Sequence, residues 1–381
     1  MKVILFIGQH KVGSTALQTF LAKNSVALLR AGILYPSVDF EGCSVMMAKL
    51  LRGKDDDDTL SFNAREPHNA LAFRMLNDEF GRPIPPWHKV LPTTPQMLRA
   101  IKMQIQYLKP EVVVLTSEVF SNFAAEAPAA IKKLAGLFEG HEVRILVTLR
   151  RVDDYLTSWH GQRLKFGYKS APLRNSATRE YINGIHFDYK LMLGKWFEEF
   201  PNADFVLRNY NDVLKSGGSC EDFAAHSGVD FPAGLHSVAS ANPSLHPALH
   251  EIVRIGNKEL KAGQASELRR FLNSIQSQLK LPQSKSIEMF GVENRELMAN
   301  KFAPIHEYLS EKNRGGAFFS DIDEISSVRD INELDAANDA LAQIQSLIAR
   351  PSIFKKLMPN AEEELTAEVK SLLMNMSIAT R

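Results

Sequence analysis

The sequence has few cysteines and no long apolar run. Only two of its 381 residues are cysteines, Cys43 and Cys220, and their separation matches no metal-ligand spacing. We therefore expect unpaired thiols in a reducing compartment. No segment approaches the ~20 apolar residues that cross a bilayer, and the first apolar run ends at His10-Lys11, too early for a signal peptide. These absences predict a cytoplasmic protein without a transmembrane segment, which could still act on a lipid-linked or membrane-bound molecule.

The sequence also lacks an excess of charge of either sign. Its 45 lysines and arginines face 44 aspartates and glutamates, which leaves a formal net charge of +1. Nothing in this balance calls for nucleic acid, so we expect no nucleic-acid partner, and any site for a polyanion must be local. The acidic run at 55–58 is more typical of a solvated loop tip than of a cation site, and we expect no bound metal.

Apolar runs of strand length alternate with helical patterns in the first 235 residues. The predicted strands are 2–8, 111–116, 143–149 and 203–207. The predicted helices are 15–30, 128–138, about 151–165 and 189–200. This alternation is typical of βαβ crossovers and of a mainly parallel sheet with helices on both faces. The predicted fold class is therefore a doubly wound, P-loop-like α/β fold.

Two parts of the chain depart from this alternation. Residues 37–110 are broken by Gly81-Arg82-Pro83 and Pro92, so we expect an irregular insertion with short helices over the mouth of the sheet. Beyond about residue 241 the strand patterns fade and amphipathic helical patterns prevail. We predict an α/β core at 1–235, which includes the insertion, and a mainly helical region at 236–381. The late helices could pack on the core or on a second subunit, so an oligomer stays open.

The first fifteen residues come close to a nucleotide-binding P-loop. Gly8 and Gly13 have the separation of the G-x-x-x-x-G-K-[ST] motif, but Ser14 occupies its lysine position. A strand, a tight loop and a helix N-terminus still form a cradle of backbone N–H groups for an anion. We therefore predict a phosphate or sulfate site here, with a plain polar turn as the alternative. Its predicted binding residues are Lys11, Gly13, Ser14 and Thr15.

Polar residues also follow two later predicted strands. Glu118 comes just after the strand at 111–116, and Arg150 ends the strand at 143–149. Ligands of open α/β sheets bind beyond the carboxyl ends of the strands, so both residues should face the first loop if the three strands are neighbours. Ser158 follows Arg150 by eight positions, a little over two helical turns into the next helix. From there it can share an anion with the arginine.

Together these motifs resemble those of the sulfotransferases that use 3′-phosphoadenosine 5′-phosphosulfate (PAPS), especially the bacterial sulfotransferase-like proteins. Their 5′-phosphosulfate loop has the form x-x-K-[ST]-G-[ST]-T after a strand, and residues 11–15 match it with valine at one position. Their 3′-phosphate motif is a strand-end arginine followed eight residues later by serine, as Arg150 and Ser158 are. The resemblance covers roughly residues 1–235 and implies the sulfotransferase fold, PAPS as cofactor and no required metal.

The chain departs from the cytosolic animal members of that family at two places. Ala16 stands where their loop carries a tryptophan that stacks on adenine, and their C-terminal R-K-G-x-x-G-D-W segment is absent. The resemblance therefore does not indicate which residue holds the adenine or which acceptor is used.

The resemblance implies a role for each matching residue. Lys11 would neutralise the oxygen between phosphate and sulfate as it becomes the leaving group. Arg150 and Ser158 would bind the 3′-phosphate, the arginine through charge-assisted hydrogen bonds. The acceptor hydroxyl needs a base near the loop, and Glu118 stands where the cytosolic enzymes have a histidine. Capping of the next segment or an ion pair is the alternative role for Glu118.

These observations lead to an expected activity with two alternatives. We expect an enzyme that transfers a sulfuryl group from PAPS to a hydroxyl of a carbohydrate or small-molecule acceptor. A P-loop small-molecule kinase would bind ATP with Mg²⁺, but Ser14 in place of lysine would misplace the cation for the terminal phosphates. A non-catalytic interaction protein that retains the fold would keep its biological function after the change Glu118→Gln.

Overall fold

The computed structural model describes residues 1–52, 60–88, 90–238, 244–313, 316–350 and 365–378, so the predicted loop tip at 55–58 lies outside the described residues. The chain forms two compact units, each assembled from separate segments. Unit 1 comprises Met1–Arg151, Asp188–Ala241 and Pro304–Ser320, and unit 2 comprises Val152–Phe187, Asn242–Ala303 and Asp321–Arg381. The predicted domain boundary at 235/236 stays a prediction.

Unit 1 contains a five-stranded sheet in which every strand pair is parallel. Its strands are β1 (Lys2–Phe6), β2 (Ile33–Leu34), β3 (Val112–Thr116), β4 (Glu142–Leu149) and β5 (Asp204–Asn209), in the order β2-β3-β1-β4-β5. Residues 3–6 of β1 are at most 3% exposed, because helices cover both faces of the sheet. The prediction of a mainly parallel α/β sheet is therefore confirmed.

The helices are numbered along the whole chain. They are α1 (Ser14–Lys23), α2 (Ser25–Arg30), α3 (Phe40–Arg52), α4 (Phe62–Arg65), α5 (Pro67–Phe80), α6 (Thr94–Leu108), α7 (Phe123–Glu126), α8 (Pro128–Leu137), α9 (Val152–Lys165), α10 (Thr178–Ile182), α11 (Tyr189–Glu199), α12 (Tyr210–Lys215), α13 (Ser219–His226), α14 (His250–Glu259), α15 (Ala262–Ile275), α16 (Val292–Lys312), α17 (Glu333–Ile348) and α18 (Ala367–Asn375).

Two stretches of unit 1 differ from the sequence-based expectation. The predicted helix at 15–30 is split into α1 and α2 at Asn24, whose side-chain amide donates to the carbonyl of Phe20 and so competes with the helical pattern. The segment 37–110 carries α3 to α6, and three of these helices have 13 to 15 residues. Its glycines and prolines lie mainly at helix ends and between helices, so the segment is more regular than expected.

The core of unit 1 forms where α1 and α13 pack against the sheet. Ile4 and Phe6 of β1 lie in one buried cluster with Leu17 and Leu21 of α1, which are spaced four residues apart and so share a helix face. Phe223 of α13 meets the ring of Phe6 edge to face, with centroids 6.3 Å apart. This packing fixes α1 directly after the loop that leaves β1.

Unit 2 is mainly helical. Its small parallel sheet pairs β6 (Ile287–Glu288) with β7 (Ile331–Asn332). Arg295, only 2% exposed, forms a 2.6 Å ion pair with Glu288 and lies 3.8 Å from Asp153, which also faces Arg329 at 3.5 Å. The positive and negative charges alternate, so their attraction offsets the desolvation cost of burying them. An isolated buried charge has no such compensation.

A buried histidine of unit 1 makes the stability of the protein depend on pH. His68 is fully buried, its Nδ1 accepts the N–H of Thr116 at 3.1 Å, and its ring meets Tyr35 edge to face. Burial lowers the pKa of His68 to about 3 from the ordinary 6.5. The unfolded chain therefore binds one more proton than the folded chain between these values, and stability is lost as pH falls through this window.

We expect His68→Gln to flatten that acid dependence. Relative to the variant, the native chain should lose up to about 1.4 kcal/mol more stability per pH unit between pH 6 and 4. Urea unfolding of both proteins at several pH values measures the difference, and the other histidines cancel because both proteins contain them. Parallel stability curves would show that His68 does not titrate differently on unfolding.

Candidate functional site

The loop after β1 has an unusual backbone. The N–H groups of Ile7 and Gln9 donate to the carbonyls of Leu146 and Thr148 at 3.0 Å, which extends the pairing with β4. The chain then turns sharply, with φ of 65° at Lys11 and 84° at Gly13. A lysine in the left-handed region costs about 1–3 kcal/mol and is found mostly where the surrounding structure enforces it. Lys11 stands three positions before Ser14, which holds the lysine position of the P-loop motif, so we call residues 8–13 the displaced-lysine loop. Its lysine thus lies in a constrained turn.

The start of α1 is open to an anion. Gly13 is its N-cap residue and supplies no side-chain hydrogen bond, and the first turn contains no acidic residue. Ser14 is buried and Thr15 is exposed. The first N–H groups of a helix have no partner within the helix, and the helix dipole adds positive potential there. An anion is the natural partner for this end of α1.

Glycine is required at position 13 by a close contact as well as by its φ. The Ser219 hydroxyl at the start of α13 donates to the Val12 carbonyl at 2.7 Å. A Cβ on Gly13 would lie 1.9 Å from that hydroxyl oxygen. The second half of the loop is therefore held in place by α13.

Arg150 is fixed beside the same loop. Its backbone N–H donates to Gln9 Oε1 at 2.9 Å, and its Nη1 donates to the Lys11 carbonyl at 3.1 Å. The guanidinium lies 4.8 Å from the ring centroid of Tyr210, a cation–π distance. The hydroxyl of Tyr189 donates to the Arg150 carbonyl at 2.8 Å. The structure thus brings the strand-end arginine and the displaced-lysine loop together.

Two buried donors next to the loop have no partner in the described part of the chain. They are Nε2 of Gln9, a residue only 1% exposed, and Nε of Arg150. A buried donor without an acceptor costs about 1–3 kcal/mol, and native structures contain few of them. Both atoms are donors, so the missing partner is an acceptor, as an anion would be.

Two cations, Arg82 and Lys11, act on His10 in the loop. Burial, with the charges of Arg82 and Lys11, lowers the pKa of His10 to about 3. His10 is therefore neutral at pH 7, and two cations act on the loop. Because His10 stays neutral, Lys11 rather than His10 supplies positive charge from the loop itself.

Glu118 lies at the carboxyl end of β3, next to α1. Gln18 Nε2 donates to Glu118 Oε2 at 2.7 Å, and Asn69 Nδ2 donates to Oε1 at 3.3 Å. The 3₁₀ turn Glu118–Asn122 is capped by Ser117, whose hydroxyl oxygen accepts the N–H of Val119 at 3.1 Å. The cap is thus supplied by the neighbouring serine, while Glu118 is connected to the second turn of α1.

Ser158 lies on α9, in unit 2, and is half-buried. Its predicted part in 3′-phosphate binding stays a prediction.

Unit 2 contains a groove of about 580 Å³ that the sequence did not predict. It is lined by residues 174–176, Arg179 and residues 290–294, and none of the predicted site residues is among them. The guanidinium of Arg174 contacts Glu333 and lies 3.6 Å from Glu251, so its charge is already compensated. The guanidinium of Arg179, which also lines the groove, lies 4.0 Å from Glu293, so both arginines of the groove have a carboxylate partner.

Two kinds of feature are absent from the described residues. No group of three or more His, Cys, Asp or Glu side chains there is arranged to hold a metal ion. Within the same ranges, no helix combines the length and the apolar character that a bilayer crossing requires.

Sequence reasoning missed several residues of this site. Gln9 and Gln18 lie within or just after the loop motif, so their positions in the sequence were a usable signal. Asn69 and Ser219 are distant in the sequence and carry no motif. The fold alone brings Asn69 to Glu118 and Ser219 to Val12.

Comparison with known proteins gives no functional assignment. No protein-family model and no solved structure matches the sequence. One curated relative, an uncharacterized protein of Archaeoglobus fulgidus, is 29% identical over 149 residues. The aligned part is 39% of this chain and 39% of the relative, so the chain matches well under half of the relative's length.

Proposed function

We propose that unit 1 binds PAPS and transfers its sulfuryl group to a hydroxyl of a carbohydrate or small-molecule acceptor. One observation carries the proposal. The displaced-lysine loop, the Arg150 guanidinium and the Glu118 carboxylate all lie at the carboxyl ends of adjacent strands, around the first two turns of α1. Ligands of open α/β sheets bind at this edge, where the strand order changes direction.

The donor set suits an anionic nucleotide. Gly13, Ser14 and Thr15 offer backbone N–H groups at the start of α1, and both hydroxyls add donors. The unpartnered Nε of Arg150 and Nε2 of Gln9 are donors as well. A ligand rich in phosphate and sulfate oxygens would satisfy them. The proposed part of Ser158 rests on its spacing from Arg150 in the sequence.

Lys11 is the proposed electrostatic catalyst. PAPS supplies a sulfuryl group already activated on a phosphate–sulfate anhydride. The ammonium of Lys11 would stabilise the negative charge that develops on the departing phosphate oxygen. Ser14 is 5% exposed and carries no charge, so it cannot replace a P-loop lysine. This distribution of charge favours a sulfuryl donor over ATP with Mg²⁺.

Glu118 is the proposed general base. Both of its carboxylate oxygens accept hydrogen bonds from side-chain amides, which orient the group without adding charge. A carboxylate oxygen has two acceptor positions, so each oxygen retains capacity for the acceptor hydroxyl. Glu118 would remove the proton of that hydroxyl as its oxygen attacks sulfur.

Calorimetry with adenosine 3′,5′-bisphosphate tests the proposal. We expect binding to the native chain and a loss of affinity of about 10- to 100-fold in Arg150→Ala, because a hydrogen bond to a charged group contributes about 1.5–3 kcal/mol. Arg30→Ala is the matched control, since Arg30 is an exposed arginine at the end of α2 in the same unit.

Two outcomes would refute the nucleotide site. One is no affinity at millimolar ligand, and the other is equal affinity in Arg150→Ala and in the native chain. Binding of ATP that requires Mg²⁺, without binding of the bisphosphate, would instead support the kinase alternative.

A further inference from the structure

A second carboxylate lies close to Glu118. Asn69 is 3% exposed, and its Nδ2 donates both to Glu118 Oε1 at 3.3 Å and to Glu66 Oε2 at 3.1 Å. One amide group thus connects two carboxylates that come from distant parts of the sequence, Glu66 before α5 and Glu118 after β3.

The orientation of the Asn69 amide follows from its other partners. Its Oδ1 accepts the Ser117 hydroxyl at 2.6 Å and Gln18 Nε2 at 3.3 Å. Both partners are donors toward this oxygen, while the carboxylates can only accept. The amide nitrogen must therefore face the carboxylates. The contact of the Asn69 amide nitrogen with both carboxylates is therefore fixed by all four of these hydrogen bonds, not by one of them.

The two carboxylates influence each other electrostatically. Burial raises the pKa of Glu66, and the negative charge of Glu118 raises it further. Arg65 opposes this effect through a 2.9 Å ion pair with Glu66.

The remaining titratable neighbours are neutral near pH 7. Burial and the charges of both carboxylates raise the pKa of Tyr35, and burial lowers the pKa of His68 to about 3. The charges that act on the pKa of Glu66 are therefore those of Glu118 and Arg65.

We infer that Glu66 and Glu118 act as one carboxylate pair joined by Asn69, in which Glu66 is a positioning residue that holds the Asn69 amide against Glu118. When the O–H bond of the acceptor breaks, its electron pair stays on the acceptor oxygen and the proton forms a new O–H bond on Glu118. That proton cancels the charge that faces Glu66, so the repulsion within the pair is relieved. The catalytic part of this inference rests on the proposed function, whereas the coupling of the two carboxylates does not.

Carboxyl-¹³C NMR of glutamate-labelled protein measures the coupling without any activity. The near-isosteric change Glu118→Gln removes a charge beside Glu66, and we expect the pKa of Glu66 to fall. Glu111→Gln is the control, because it removes an exposed carboxylate just before the same strand, β3. A Glu66 titration that is the same in the native chain and in Glu118→Gln would overturn the inference.

The rate of sulfuryl transfer tests the consequence for catalysis. In Glu66→Ala we expect kcat to fall about tenfold with the affinity for adenosine 3′,5′-bisphosphate unchanged, and in Glu66→Gln, which can still accept from Asn69, we expect kcat to recover. An unchanged kcat in Glu66→Ala would contradict the role of Glu66. Carboxylate coupling in a protein that transfers no sulfuryl group would refute the proposed function and leave the pair intact.

Discussion

Replacing Glu118 with glutamine is expected to reduce turnover by about 10²–10⁴-fold, the usual contribution of a general base. Glutamine keeps the size of the side chain and can still accept from Gln18, but it cannot take a proton at neutral pH. Affinity for adenosine 3′,5′-bisphosphate should therefore remain. Transfer of labelled sulfate from PAPS to a panel of hydroxylated acceptors measures the first quantity, and calorimetry measures the second.

The control for this experiment is Glu111→Gln, which we expect to transfer sulfate at the native rate. A loss of less than tenfold in Glu118→Gln would remove Glu118 as the base. A parallel loss of nucleotide affinity would assign Glu118 to the structure of the loop instead. If the biological role of the protein survives Glu118→Gln unchanged, the non-catalytic alternative gains support.

The fold could be predicted where local pattern decides it. Strands β1, β3 and β4 are apolar runs because both faces of a parallel sheet are buried, and that pattern is visible in the sequence. The strand β2 has two residues, too few for any periodicity. The split between α1 and α2 was missed because it depends on a side chain, Asn24, that competes with the helical backbone.

The candidate site was predictable in part for the same reason. Lys11, Glu118 and Arg150 directly follow strands, and the parallel sheet brings such positions to one edge. The contacts that orient them come from Asn69 and Ser219, whose positions depend on helices α5 and α13 packing against the sheet. Long-range packing of this kind has no local sequence signal. The placement of the charged residues at one edge could therefore be predicted from the sequence, and the residues that position them could not.

The change Gly13→Ala should abolish nucleotide binding more completely than the loss of any single side chain at the loop. Alanine at a φ of 84° costs about 1–2 kcal/mol, and its Cβ would lie 1.9 Å from Ser219 Oγ, which forces the loop or α13 to move. A displacement of about 1 Å in a binding loop can reduce function by about 10²-fold. We therefore expect at least that loss of affinity for adenosine 3′,5′-bisphosphate, with lower stability in urea.

Two further variants separate the contact from the backbone strain. Gly140→Ala places alanine at a φ of 77° with no atom within 4 Å of its Cβ, so it should lower stability by about 1–2 kcal/mol and leave nucleotide binding intact. Adding Ser219→Gly to Gly13→Ala removes the atoms that the new Cβ would meet, and part of the affinity should return while the backbone strain persists. Native affinity in Gly13→Ala alone would mean that the nucleotide does not bind at the loop between β1 and α1, whatever the resemblance of its sequence.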